Sequence, residues 1–252
     1  MNYLVIYPGR FHPFHRGHKA SYDWLTKKFG DDSVYIATSN VQAPVTSPFN
    51  YSDKVMMMTK LGVPAGRVAN VKNPYQAAEI TANIPDEEKN KTALIFAVSE
   101  KDAQRFNFAP KKDGSASYLQ LLPANTKKLK PMTQHGYVVI TPTINFKVNG
   151  VDANSASEIR KMYIKGNDND KNQVIADLYG QPDAAIRDIF DKKLGIVEQA
   201  QNYIREAREF GAAKVVNWMQ RVLILEQQAN SFDTDFAHLK PDYIDEKNYN
   251  RK

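Results

Sequence analysis

The sequence predicts an α/β protein with a doubly wound parallel sheet and a C-terminal helical extension. Three patterns carry this: short apolar strand-like runs alternate with amphipathic helical stretches, the runs are apolar on both faces, and the last third has helical periodicity only. Of the 252 residues, 42% are hydrophobic and 11% aromatic, which suits one sizeable core with an appendage. The net charge of +6 favours anionic partners without choosing among triphosphates, nucleic acid and anionic lipid.

The first run is Tyr3 to Tyr7, closed by Pro8-Gly9, and reads as a buried parallel strand ending in a turn. From Gly17, the residues His18, Tyr22, Leu25 and Phe29 recur at helical spacing until Gly30. Further strands are expected at Ser33 to Thr38, Val68 to Val71, Thr92 to Val98 and Tyr137 to Thr141, with a helix over Tyr51 to Leu61. Phe106 to Pro131 is rich in lysine, proline and small polar residues and reads as a long excursion from the sheet.

From Asp183 the apolar residues Ile186, Ile189, Phe190, Leu194 and Val197 form one stripe. A second stretch, Ala212 to Gln228, carries Trp218 and Val222, with Gly195 and Gly211 as expected helix breaks. This divides the chain into a sheet domain over 1–180, a helical extension over 181–230 and a mobile tail over 231–252.

Absence of cysteine excludes a disulfide framework, a thiol nucleophile and thiolate metal ligands. The opening apolar run of about five residues is too short for a signal core or membrane span, so a cytoplasmic protein with no membrane partner is expected. Lys111, Lys112, Lys127, Lys128 and Lys130 form a basic stretch, but no aromatic interleaving marks a base-stacking platform, so nucleic acid is not the expected partner.

The informative segment is Gly9-Arg-Phe-His-Pro-Phe-His-Arg-Gly-His18, between the first strand and the first helix. A helix N-terminus presents unpaired N–H groups and a positive dipole end, so a loop ending there can hold phosphate oxygens. Gly17 would let backbone approach a ligand, and His15 and His18 can donate to oxygens that gain charge as a leaving group departs. One isolated histidine would more often be a cap or a packed residue. Two at the carboxyl end of the first parallel strand point to a ligand site. Zinc does not suit three histidines without cysteine or a nearby carboxylate, so no protein-bound metal centre is expected.

GRFHPFHRGH resembles the GRFxPxHxGH signature of the cytidylyltransferase-like nucleotidyltransferase superfamily, particularly its nicotinamide-mononucleotide adenylyltransferase branch. Gly9, Phe11, Pro13, His15, Gly17 and His18 agree with it. His12 falls at a variable position, where a plain loop histidine and a binding role both stay open. A second segment, Asn154 to Arg160, resembles the ISSTxIR motif, with Ser155, Ile159 and Arg160 matching, Ser157 a conservative replacement, and Asn154 and Ala156 departing. On residue pattern alone it is a capping box, Ser155-x-x-Glu158. Ser47 to Lys54 resembles an NPF(S/T)xxER segment with Lys54 in place of arginine. Ala97 to Asp102 stands where relatives carry a VGxD-like turn, with Ser99 replacing the glycine.

The resemblance covers about residues 1–165 and implies a Rossmann-like nucleotidyltransferase. It would bind a nucleoside triphosphate, most readily ATP, with Mg²⁺, and transfer the nucleotidyl group to a phosphorylated acceptor such as nicotinamide mononucleotide. His15, His18 and Arg160 would be catalytic. Gly9, Arg10, Phe11, Gly17, Ser155, Ser157, Asp102 and Lys54 would bind substrate. Cytidylyl transfer, or adenylyl transfer to a phosphopantetheine-type acceptor, shares these motifs. A nucleotide-binding scaffold on the same fold is the alternative from another class, and the C-terminal helices could join two copies of the chain.

Overall fold

The computed structural model describes residues 1–43, 46–110, 112, 114–153 and 155–209. A six-stranded, wholly parallel sheet forms the centre: β1 (Asn2–Pro8), β2 (Val34–Thr38), β3 (Val68–Asn70), β4 (Thr92–Val98), β5 (Leu119–Leu121) and β6 (Gly136–Ile140). Their spatial order is β3-β2-β1-β4-β6-β5. The chain therefore winds outward from β1 in one direction and, beginning with β4, in the other. The crevice outside the carboxyl ends of β1 and β4 is where such sheets bind ligands.

Successive strand residues face opposite sides, which explains why β1 and β4 are apolar throughout. Val5, Tyr7, Ile95 and Ala97 enter one core, while Leu4, Ile6, Leu94, Phe96 and Val98 enter the other. The first core is covered by α1 (Arg16–Phe29), α2 (Tyr51–Lys60), α6 (Ala156–Lys165), α7 (Asp168–Tyr179) and α8 (Ala184–Glu209). The second lies under the short α3 (Ala78–Ala82) and α5 (Glu100–Ala103), with Phe106, Phe108 and Met132 packed on it, and the charged α4 (Asp86–Lys89) follows α3 at its edge.

The 106–131 excursion is less detached than its composition suggests. Residues 119–121 return as the edge strand β5, and the Tyr118 hydroxyl donates to the Met132 carbonyl at 2.6 Å. A three-residue strand has too few alternations to be read from sequence. The hairpin of β7 (Lys147–Val148) and β8 (Val151–Asp152) turns at Asn149-Gly150, with φ of 48° and 75°, the positive values that a two-residue hairpin turn demands. The polar start of α7 hides it in the sequence. Its Asn167-Asp170 capping box starts the helix, and Val174, Ile175 and Leu178 bury it.

Gly195 does not break the C-terminal helix, which runs through it. A helix-interior glycine costs about 1 kcal/mol, less than packing of the preceding turns returns. Ile186, Ile189, Phe190 and Leu194 are all buried in the first core, so the first half of α8 belongs to the same packed body as the sheet. Gly211, Trp218, Val222 and the tail lie outside the described residues. No helix among the described residues is long and apolar enough to cross a membrane.

Candidate active site

β1 delivers the chain at Pro8 into a seven-residue loop, and α1 takes it up at Arg16. Two expected ligand contacts in this loop are packing devices instead. Phe11 is only 6% exposed and sits at φ 49°, with its ring 5.6 Å from Tyr7, 5.3 Å from Phe14 and 5.0 Å from His18. A Cβ on Gly9 would come within 2.4 Å of that ring. Gly9 is thus the flat floor under Phe11, and the Phe11 side chain is spent on packing. The Tyr179 hydroxyl supports the loop from α7, donating to the Phe14 carbonyl at 2.8 Å.

His15 is the N-cap of α1, and its Nδ1 accepts the Gly17 N–H at 3.1 Å. That bond assigns the proton of a neutral imidazole to Nε2. Burial, then the neighbouring His18 and Arg16, hold the His15 pKa well below the ordinary histidine value. Burial lowers His18 to about 4, so both rings are neutral donors at pH 7. Their centroids are 3.8 Å apart, and His18 Nδ1 is buried without a hydrogen-bond partner among the described residues. Gly17 is small for the sake of His15: a Cβ there would meet His15 Cε1 and Phe146 Cε1, each at 3.0 Å.

Phe146 escaped the sequence reading. Its ring lies 4.6 Å from His15, with the Arg16 guanidinium 5.4 Å from its centroid. Phe146 reaches the site from the segment just before β7, a placement with no local spacing to betray it.

Arg160 on α6 is 8% exposed and donates from Nη1 to the His12 carbonyl at 2.6 Å. Arg10 is exposed. Burial, then the charges of Lys54, Arg160 and Arg10, push His12 down to about 2. Burial lowers Lys54 to about 8 and also lowers Arg160, and the charge of Arg10 adds to both shifts. These mutual effects bring three cations to one loop, a positive field matched to a polyphosphate.

Lys54 contributes charge but not a reachable hand. It is fully buried, and Nζ donates to the Ser39 carbonyl at 2.7 Å and Thr38 Oγ1 at 3.4 Å, so it ties α2 to the end of β2. This corrects its expected role as a direct substrate ligand.

Ser155 caps α6, accepting the Glu158 N–H at 3.2 Å, and lies 3.0 Å from Ser157 Oγ. Residue 154 is outside the described residues. Asp102 stands past the carboxyl end of β4 on the short α5. Its carboxylate accepts from Arg105 Nε at 2.8 Å and Ser99 Oγ at 3.2 Å, and its charge raises the pKa of Tyr75 after burial has done so. A cavity of about 630 Å³ opens elsewhere, beside the first residues of β1 and β4, where Asp32, Glu79 and Glu88 make it unsuited to a triphosphate.

A parallel sheet whose first strand ends in a cationic, histidine-bearing loop at a helix N-terminus is the kind of arrangement in which open α/β sheets hold phosphate groups. The Cytidylyltransferase-like family model matches residues 6–143, more than half of the chain, and the protein belongs to that family. A nicotinamide-nucleotide adenylyltransferase of Sulfurisphaera tokodaii is 31% identical over 56 residues, which cover 22% of this chain and 33% of the relative. One from Methanocorpusculum labreanum is 34% identical over 55 residues, again 22% and 33%. The match thus spans about a third of the length of these curated relatives. Among solved structures, a bifunctional NMN adenylyltransferase/ADP ribose pyrophosphatase from Francisella tularensis covers 83% of this chain and 56% of its own, at 14% identity and a TM-score of 0.49. Its complex with AMP and a Mn ion gives the same coverage with a TM-score of 0.47.

Proposed function

We propose that the protein is an adenylyltransferase that transfers AMP from ATP to a phosphate-bearing acceptor of the nicotinamide mononucleotide type, releasing pyrophosphate. The observation that carries this reading is the pair of neutral imidazoles with centroids 3.8 Å apart at the start of α1, beside the loop that Arg160 grips. The names of the matched relatives support the choice of acceptor.

An acceptor phosphate oxygen forms the new bond to the α-phosphorus. The bond to the oxygen bridging toward the β-phosphorus breaks, and that oxygen leaves with pyrophosphate. The acceptor is already anionic near neutral pH, so no side chain has to remove a proton. The protein's share is alignment and charge stabilisation. His15 Nε2–H and the neighbouring His18 donate to oxygens that gain charge, Arg160 binds the departing phosphates with its remaining N–H groups, and Ser155 and Ser157 lie at the α6 N-terminus to accompany it. Arg10 adds attraction from the rim.

No group of three or more His, Asp or Glu side chains fit to hold a metal ion converges among the described residues. Mg²⁺ would enter this site with the nucleotide and would neutralise charge on the triphosphate. Such a reaction needs a nucleoside triphosphate pool, which favours the cytoplasm. The stripe Ile186, Ile189, Phe190 and Leu194 is used inside the subunit, so an interface between two copies through the C-terminal helices would have to use other residues.

The test is pyrophosphate release by the full chain over a panel of ATP, CTP, GTP and UTP against nicotinamide mononucleotide, nicotinate mononucleotide and 4′-phosphopantetheine. Turnover highest with ATP and nicotinamide mononucleotide is expected. Tight nucleotide binding without turnover on any pair would replace the reading with a scaffold.

A further inference from the structure

His12 holds the variable place in the signature loop, yet it is among the most enclosed polar residues of the chain, at 5% exposure. Its carbonyl and its ring Nδ1 are both engaged. Its carbonyl accepts Arg160 Nη1 at 2.6 Å, and its Nδ1 accepts the Phe49 backbone N–H at 3.4 Å. Its ring lies nearly parallel to that of Phe49, at 16° and 6.0 Å between centroids.

The contacts continue. Phe49 meets Phe190 of α8 at 5.0 Å, and Phe190 meets Tyr163 of α6 at 5.0 Å. Tyr163 follows Arg160 by three positions on α6, which places the two on neighbouring parts of one helix face. The Tyr163 hydroxyl also donates to Asp191 Oδ1 of α8 at 2.8 Å. Arg160, His12, Phe49, Phe190 and Tyr163 thus form a chain of contacts among buried residues that begins and ends on α6 and passes through the signature loop, the approach to α2 and helix α8.

We propose that His12 is a positioning residue for polyphosphate binding, and that through Phe49 and Phe190 it makes helix α8 a support for the Arg160 guanidinium. The inference rests on the adenylyltransferase reading only for the identity of the polyphosphate. A guanidinium has five N–H donors in a fixed fork. With one donor committed to the His12 carbonyl, the direction of the others follows the loop. An imidazole serves this position in two ways: it is flat enough to lie along Phe49, and its Nδ1 satisfies a backbone N–H that would otherwise be buried unpaired. Burial first, and then the cations around His12, keep the ring neutral, so the Nδ1 lone pair remains available as an acceptor.

The experiment is calorimetric binding of tripolyphosphate to the full chain. His12→Phe keeps an aromatic ring and removes the acceptor, and should weaken binding roughly tenfold, as for loss of one buried polar contact. His12→Asn, which returns an acceptor near Nδ1, should recover part of that loss. In an Arg160→Lys background, His12→Phe should add less than about a twofold loss, because residues acting through one another are not additive. Phe190→Leu tests the far part of the chain of contacts with a mild change and should weaken tripolyphosphate binding roughly threefold while thermal unfolding stays cooperative.

A full tenfold additional loss in the Arg160→Lys background, or unchanged affinity in His12→Phe, would overturn the proposal. Unchanged affinity in Phe190→Leu would remove α8 from it. Adenylyl transfer measured alongside separates the two readings: coupled polyphosphate binding without transfer sinks only the proposed reaction, and transfer without coupling sinks only the role of His12.

Discussion

Gly17 donates its backbone N–H to Nδ1 of His15 at 3.1 Å, and the same glycine leaves room for the His15 ring to fold back over the start of α1. One residue therefore sets both the tautomer and the orientation of a proposed catalytic donor. Gly17→Ala separates these from stability. Alanine is favoured over glycine in a helix by about 1 kcal/mol, but its Cβ would stand 3.0 Å from His15 Cε1 and from Phe146 Cε1. The expected outcome is an unchanged or higher melting temperature with turnover reduced roughly tenfold or more, since small displacements of aligned groups are costly. Full activity in a normally folded Gly17→Ala protein would mean that the His15 orientation does not matter to the reaction.

His18→Ala should lower turnover by two or more orders of magnitude while triphosphate affinity falls less, because a donor aimed at developing charge is worth about 3 to 4 kcal/mol in the transition state. Turnover number and dissociation constant, measured separately, decide it. Equal losses in both would assign His18 to ground-state binding.

Much of this site was legible because its parts are contiguous. Gly9 to His18 is one continuous segment, a strand-to-helix loop and the first turn of α1, and each of the core strands β1 and β4 is a continuous apolar run. The sequence misled where chemistry and packing ask for the same residue type: Gly9 and Phe11 fit a ligand motif and fit equally the stack that holds the loop. Lys54 looked like a hand for phosphate because a surface lysine is the ordinary case, and only the fold reveals that its Nζ is spent on the end of β2. The contacts of Phe146 with His15, of Phe49 with His12 and of Phe190 with Phe49 could not be read at all, since residues 131, 37 and 141 positions apart meet through tertiary packing.

The buried histidines give stability a pH dependence with a definite sign. His18 titrates near 4 and His12 near 2 in the folded chain, against an ordinary value of 6.5. Between about pH 4 and 6.5 the unfolded chain binds protons that the folded one refuses, so stability rises with pH across this window and is lost as the pH falls through it. Each such histidine contributes a slope of at most about 1.4 kcal/mol per pH unit. Melting temperatures taken at pH 7.5, 6.5, 5.5 and 4.5 should fall progressively below 6.5, and His18→Gln should reduce the slope. A melting temperature that is flat from pH 7 to 5 would contradict the burial of these rings.

Arg160→Lys should weaken binding of ATP more than binding of AMP. An ammonium cannot hold the His12 carbonyl and a terminal phosphate at once, whereas the guanidinium fork can. Roughly tenfold for the triphosphate against less than threefold for the monophosphate is the expected split. Matching losses would make Arg160 a brace for the loop with no hand on the outer phosphates.

The last prediction concerns the C-terminal helix. Removing everything after Gly180 deletes Ile186, Ile189, Phe190 and Leu194, four buried side chains of the first core. At about 1.5 to 3 kcal/mol for each buried apolar side chain, the gross loss of about 6 to 12 kcal/mol is as large as the whole stability of a typical domain. The cut also uncovers Phe49 and Tyr163, which pack on Phe190, and an exposed aromatic patch promotes aggregation. A 1–180 fragment should therefore be insoluble or molten, whereas a chain ending after Ser231 should fold and bind nucleotide as the full chain does. Solubility, a melting curve and ATP binding for the two truncations provide the check. A soluble, monomeric 1–180 fragment that melts at the temperature of the full chain would show that α8 is a separate module, and would also cut the link from α8 through Phe190 and Phe49 to His12.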